Sequence, residues 1–182
     1  MATAPITMLS EFALHSSVYE AIDKLMPLGG TILELGSGEG DANLVSKYEV
    51  YAVEHDPEWL GKVPGVHYIY APLAPIKPTR WHPKQDRWYS PEKIRATIPK
   101  LQYDLLIVDG PTADVGRGGF LKYWNLFNTN VPIILDDVNR SEEWKMLRVL
   151  SNKIDKAIVL PPTRHEKLFA VIGDKKQLEN LL

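Results

Sequence analysis

The sequence predicts an α/β domain: a mostly parallel sheet with helices on both faces, closed by an antiparallel hairpin at the C-terminal end. Two observations carry this. Five short apolar, β-rich runs alternate with helix-like segments, and parallel strands covered on both faces read as such continuous apolar runs. Near the end of the chain two further strand-like runs follow each other too closely for a helical crossover, which suits a hairpin.

The elements follow in order. SSVYEAIDKLM (16–26) places Val18, Ile22, Leu25 and Met26 at helical spacing, with Ser16 or Ser17 available as the N-cap. The strand-like runs are TILEL (31–35), EVYAVE (49–54), GVHYIYA (65–71), YDLLIVD (103–109) and VPIILDD (131–137). Between them lie the helix-like segments DANLVSKY (41–48), DPEWLGK (56–62), SPEKIRATI (90–98) and GGFLKYWNLF (118–127). A helix is expected over SEEWKMLRVLSNKI (141–154), and the hairpin comes from DKAIVLPP (155–162) and EKLFAVIGD (166–174). One long irregular segment, PLAPIKPTRWHPKQDRWYS (72–90), is rich in proline, tryptophan and charge. Loops of that length are usually functional or disordered, and its aromatic content argues against disorder.

Composition narrows the class. The 182 residues suit one core, so a single domain over residues 1–182 is expected. With 21 basic and 23 acidic side chains the formal charge is −2, which gives no general attraction to nucleic acid or an anionic membrane. The chain has no cysteine, hence no disulfide framework or thiolate metal site. Its start, MATAPITMLSEF, lacks the basic and apolar regions of a signal peptide, so a cytoplasmic protein is expected. No uncharged apolar run approaches the roughly 18 residues that would cross a bilayer.

The chemistry begins at TILELGSGEG. Gly36, Gly38 and Gly40 follow a strand and precede a helix, so the backbone can approach a ligand closely under the amides of a helix N-terminus. The spacing is G-x-G-x-G, whereas a nicotinamide dinucleotide fingerprint is G-x-G-x-x-G and serves a pyrophosphate. Glu34, two residues before the first glycine, would repel a pyrophosphate but could accept hydrogen bonds from an ammonium group. Glu54, at the end of the second strand and followed by His55 and Asp56, is placed to accept both hydroxyls of a ribose. A purely structural reading, a tight turn and a solvated strand end, stands beside this.

ELGSGEG followed by AVE resembles the class I S-adenosylmethionine-dependent methyltransferases, and the resemblance covers almost the whole chain. It implies a Rossmann-like seven-stranded sheet. It also implies that Glu34 and the backbone of Gly36, Ser37, Gly38 and Gly40 hold the methionine end of the cofactor, that Glu54 with His55 holds the ribose, and that Ala71, Pro72 and Leu73 border the adenine.

Asp109 ends the fourth strand, and Asp136 and Asp137 end the fifth. Converging carboxylates repel one another, and a hard divalent cation would neutralise them. The arrangement resembles metal-dependent catechol-type and macrocin-type O-methyltransferases, which implies Mg²⁺ on Asp109, Asp136 and Asp137 and a small-molecule hydroxyl, sugar-like or of another metabolite, as acceptor. Where catechol-type enzymes carry a lysine base, three residues after the first aspartate, this chain has Thr112. The base is therefore unassigned; His82, His15 and His165 are candidates by residue type alone, and Asp109, Arg117 and His82 form the candidate catalytic set. The alternatives for the aspartates are contact of Asp109 with the cofactor or the cap of a turn, and strand or helix capping by Asp136 and Asp137.

Arg117 and Arg140 could clamp a carboxylate or phosphate on a substrate, and solvated loop arginines are the alternative. Trp81, Trp88 and Tyr89 could wall an acceptor or pack as a lid cluster; Trp59 and Trp144 read as packing residues. The expected partners are a small-molecule acceptor, with neither nucleic acid nor membrane, and the aromatic loop would fit a homo-oligomer interface as well as a lid. Within the class, a metal-independent or nitrogen-directed enzyme is the rival. Outside it stand a nicotinamide-dependent oxidoreductase and a binding protein that keeps the pocket without turnover.

Overall fold

The computed structural model describes residues 14–163 and 167–181, and among them nine strands and six α-helices follow one another. They are α1 (Ser16–Leu25), β1 (Thr31–Leu35), α2 (Asp41–Val45), β2 (Glu49–Glu54), β3 (Val66–Tyr70), β4 (Leu73–Pro75), β5 (Arg87–Tyr89), α3 (Pro91–Thr97), β6 (Leu105–Val108), α4 (Phe120–Tyr123), β7 (Ile133–Leu135), α5 (Ser141–Ile154), β8 (Ala157–Val159), β9 (Ala170–Gly173) and α6 (Lys175–Leu178). Seven strands form one sheet in the order β3-β2-β1-β6-β7-β9-β8. Neighbours from β3 to β7 run parallel, and β9 is antiparallel to both β7 and β8. The terminal hairpin therefore inserts its second strand beside β7 and leaves β8 at the edge.

Alternation along the strands explains why the sheet is covered twice. Leu33, Leu35, Leu106, Val108, Ile133 and Leu135 face a core shared with Ile94 of α3, Phe120 of α4 and Met146, Leu147 and Leu150 of α5. Ile32, Val50, Leu105, Ile107 and Ile134 face a second core with Val18 and Ile22 of α1, Leu44 of α2 and Leu178 of α6. Each fully buried Leu or Ile contributes roughly 1.5–3 kcal/mol by leaving water. No helix among the described residues is long and apolar enough to cross a membrane.

Several local expectations are revised. The N-cap of α1 is His15, whose Nδ1 accepts from Ser17 N–H at 3.4 Å and lies 2.9 Å from Ser17 Oγ. DPEWLGK forms only a 3-10 turn, Pro57–Trp59, because Gly61 at φ +78° turns the chain away. The segment 72–90 is ordered: β4 and β5 pair antiparallel as a separate two-stranded hairpin, anchored by the fully buried Trp88 and Tyr89. The short helix α6, with its capping box on Asp174, was not foreseen.

Register decides where the site forms. Leu35 pairs with Val53 and with Val108, and Val108 pairs with Leu135. The next residues along each chain are therefore Gly36, Glu54, Asp109 and Asp136, which come to one edge of the sheet. Between β1 and β6 the strand order reverses, the place where open α/β sheets leave a crevice.

Candidate active site

A cavity of about 440 Å³ occupies that crevice. Gly36, Ser37 and Gly110 form its floor, Glu54, His55, Asp56 and Trp59 one end, and Asp109, Arg117, Asp136, Asp137, Arg140 and Lys167 the other. Tyr89 lies on its wall. Gly36 sits at φ +99°, and a Cβ there would stand 3.0 Å from Gly110 N. On Gly110, a Cβ would stand 2.7 Å from Gly36 Cα and 2.3 Å from the Tyr89 hydroxyl. The two turns thus cross with no room for side chains, and that crossing is the floor.

Glu54 is 3% exposed and is held by its own turn. Its Oε1 accepts from the backbone N–H of His55 (2.5 Å) and Asp56 (2.7 Å), and its Oε2 accepts from Ser37 N–H (3.1 Å). With a single donor on Oε2, the carboxylate keeps acceptor capacity on the cavity side. His55 Nδ1 lies 2.8 Å from Glu54 Oε1, and this carboxylate raises the imidazole pKa.

Beneath the glycine turn, Glu34 and Asp41 form a buried acid pair, each 2% exposed. Burial first, then Asp41 and Asp109, push the Glu34 carboxyl well above the usual range. Asp41 is raised by burial too, although Ser37 Oγ (2.7 Å) and Gly38 N–H (3.3 Å) donate to it. Glu34 Oε2 has no hydrogen-bond partner. Glu34, Gly38, Gly40, Ala71, Pro72, Leu73 and His82 do not line the cavity.

At the opposite end Arg117, 4% exposed, sits among the three aspartates. Its NH2 donates to Asp109 Oδ1 and to Asp137 Oδ2, both at 2.8 Å, and its NH1 donates to the Asp136 carbonyl at 2.7 Å. Arg140 adds a second contact to Asp137 Oδ2 at 2.9 Å. Burial opposes the Arg117 charge, but Asp109, Asp137 and Asp136 outweigh it and raise its pKa. Burial, with the charges of Asp109 and Asp137, pushes the Asp136 carboxyl up to about 7. Asp137 holds φ +58°, a region that side-chain-bearing residues seldom adopt, and this turn points its carboxylate back onto both arginines.

The donor set tests the expected metal. One oxygen from each of Asp109, Asp136 and Asp137 does converge within 4.8 Å. Two of those carboxylates already give an oxygen to a buried guanidinium, and Mg²⁺ requires near-octahedral oxygens at about 2.1 Å. The ion does not fit unless Arg117 leaves.

Comparison with solved structures places the fold. An rRNA methylase from Streptococcus thermophilus superposes with TM-score 0.55 at 9% identity, over 88% of this chain and 98% of that one. Fibrillarin from Aeropyrum pernix, in complex with natively bound S-adenosyl-L-methionine, gives 0.54 at 14% identity over 92% and 85%. A protein from Staphylococcus aureus assigned as a caffeoyl-CoA O-methyltransferase gives 0.52 at 14% over 90% and 86%. The fold is that of the Rossmann-like methyltransferases. By sequence, no protein-family profile and no curated protein matches the chain.

Within this methyltransferase fold the other candidates fall into place. His82 is 1% exposed and away from the cavity, its Nε2 3.0 Å from the Glu142 carbonyl and its backbone N–H on Thr79 Oγ1 at 3.1 Å. It fastens the 72–90 segment to the start of α5. His15 caps α1, and His165 lies outside the described residues. Trp88 is core, stacked on Tyr123, while Trp81 lies beside the Arg80 guanidinium, 4.3 Å from its ring centroid. Sequence reasoning missed Trp59 as a cavity residue, Asp41 and Lys167, whereas Tyr89 was among the residues expected to wall an acceptor. The first could have been found from its place just past the second strand end, where a ligand-binding loop belongs.

Proposed function

We propose that this chain transfers a methyl group from S-adenosylmethionine to a hydroxyl of a small molecule, sugar-like or another metabolite. The carrying observation is Glu54, which keeps acceptor capacity in a cavity floored by the bare Gly36–Gly110 crossing, with the buried acid pair of Glu34 and Asp41 beneath that floor. Negative charge beneath that turn favours the cationic amino-acid end of this cofactor on the floor above it and disfavours a diphosphate. At the other end of the floor, Glu54 Oε2 has room for a ribose diol.

S-adenosylmethionine, when bound, supplies a methyl carbon activated by a sulfonium. The chain does the rest by positioning. Tyr89, whose buried hydroxyl has no protein partner, offers its O–H to the ligand over the Gly36–Gly110 crossing. Asp136, at about 7, is the cavity carboxyl suited to take a proton from an acceptor hydroxyl near neutral pH. The Mg²⁺ that the catechol-type resemblance implies would compete with Arg117 for the same oxygens. RNA, suggested by the name of one structural neighbour, the rRNA methylase, is disfavoured by the net charge of −2.

Calorimetric titration tests the reading. S-adenosylhomocysteine should bind with one-to-one stoichiometry, NAD should not, and Glu54→Ala should weaken the former by on the order of tenfold or more. Preference for NAD, or no heat with S-adenosylhomocysteine, would overturn it.

A further inference from the structure

We propose that Arg117 is the resident cation of the acceptor end of the cavity, holding the carboxylates of Asp109 and Asp137 and the backbone of Asp136 in a three-acid cluster that would otherwise require a divalent ion. Asp109, Asp136 and Asp137 then become a metal site only when Arg117 is removed. This goes beyond the methyl-transfer reading. Its metal titration does not depend on that reading.

The first support is the bonding itself. One nitrogen of Arg117 donates to two carboxylates at 2.8 Å, and another grips the backbone between them at 2.7 Å. The guanidinium bridges the ends of β6 and β7, where two acidic strand ends would repel. The second support is that the backbone on both sides of the buried Arg117 is closely packed. The residue before it, Gly116, has φ +83°, and a Cβ there would meet the Gln85 side chain at 2.3 Å. On the residue after it, Gly118, a Cβ would meet Gln85 at 2.4 Å and His82 at 2.5 Å. Gly118 N–H also donates to Gln85 Oε1 at 2.7 Å. The Gly-Arg-Gly stretch is thus clamped beneath the 72–90 segment, unlike a surface arginine that an incoming ion could displace. The cost is visible: Arg117 Nε is buried without a partner, a penalty a protein retains only where the rest of the group is well bonded.

The test is a Mn²⁺ titration followed by electron paramagnetic resonance, with no nucleoside present, on the parent chain and on Arg117→Ala. The parent should bind no stoichiometric Mn²⁺ up to about 1 mM, the weak end of protein sites. Arg117→Ala should bind one equivalent at least roughly tenfold more tightly than that limit, and Asp136→Asn in that background should abolish it. Should Arg117→Ala lower the melting temperature, Mn²⁺ should raise it again while leaving the parent unchanged. Stoichiometric Mn²⁺ on the parent that Asp136→Asn removes would overturn the proposal. So would an Arg117→Ala chain that Mn²⁺ neither binds nor stabilises. Loss of S-adenosylhomocysteine binding would instead count against the methyl-transfer reading alone.

Discussion

Single carboxyls set the chemistry of this site, and their raised pKa values give it testable pH behaviour. Asp136 is pushed up to about 7, against an unfolded value near about 4. Between those values the folded chain binds more protons than the unfolded one, so the Asp136 contribution to stability falls as pH rises through the window and is flat above it. Asp136→Asn removes that loss. Urea denaturation should show the variant more stable than the parent near pH 8, by on the order of 2 kcal/mol after allowing for charge sharing with its neighbours, and equal to it near pH 4. A variant weaker at both pH values would show that the Asp136 charge is needed for the Arg117 cluster. Glu34→Gln asks a different question, because it keeps shape and removes charge. Affinity for S-adenosylhomocysteine should fall roughly tenfold or more while the ligand-free chain loses no stability; lowered stability with unchanged affinity would make Glu34 a structural residue.

The 72–90 segment shows at the level of elements what sequence could and could not reveal. The strands 31–35 and 49–54 and the helix 141–154 were legible to the residue because local periodicity defines them. The β4–β5 hairpin was not: its strands have three residues each, separated by the stretch from Ile76 to Asp86, and pairing is decided by where Trp88 and Tyr89 are buried. The strand-end acids were legible, since every parallel strand delivers its last residues to the same edge. The partner of Asp109 and Asp137 was not, because Arg117 reaches them across 8 and 20 residues. Glycines on both sides of Arg117 were the available clue. His82 belongs to this scale, as a tie between the segment and α5. His82→Ala should cost about 1–3 kcal/mol by leaving the Glu142 carbonyl without its partner, and should leave S-adenosylhomocysteine affinity unchanged by calorimetry. A tenfold loss of affinity without destabilisation would return His82 to the site.

Among the described residues one sheet edge carries two acidic clusters, and one of them has its own cation. The Asp109, Asp136 and Asp137 end holds Arg117; the Glu34 and Asp41 end has a hydrogen bond between its two carboxyls and donors from Ser37 and Gly38. The empty chain therefore carries a pH liability that a cationic ligand should relieve. Because both carboxyls are raised in the folded state, their contribution to stability is present below the ordinary carboxylate range and is lost as pH rises through the raised values. An ammonium group beside them lowers both again, so binding should release protons and tighten as pH rises through that window. The thermal shift produced by saturating S-adenosylhomocysteine should be larger near about pH 7 than near pH 5, with the amino group still mostly protonated at both. At a hundredfold excess over the dissociation constant the gain is about 2.7 kcal/mol, enough to resolve a difference between the two pH values. Calorimetry in two buffers of different ionisation enthalpy should report the proton release directly. Equal shifts at both pH values and no buffer dependence would mean that the ligand's cation does not meet these carboxyls, and the buried pair would then need another explanation.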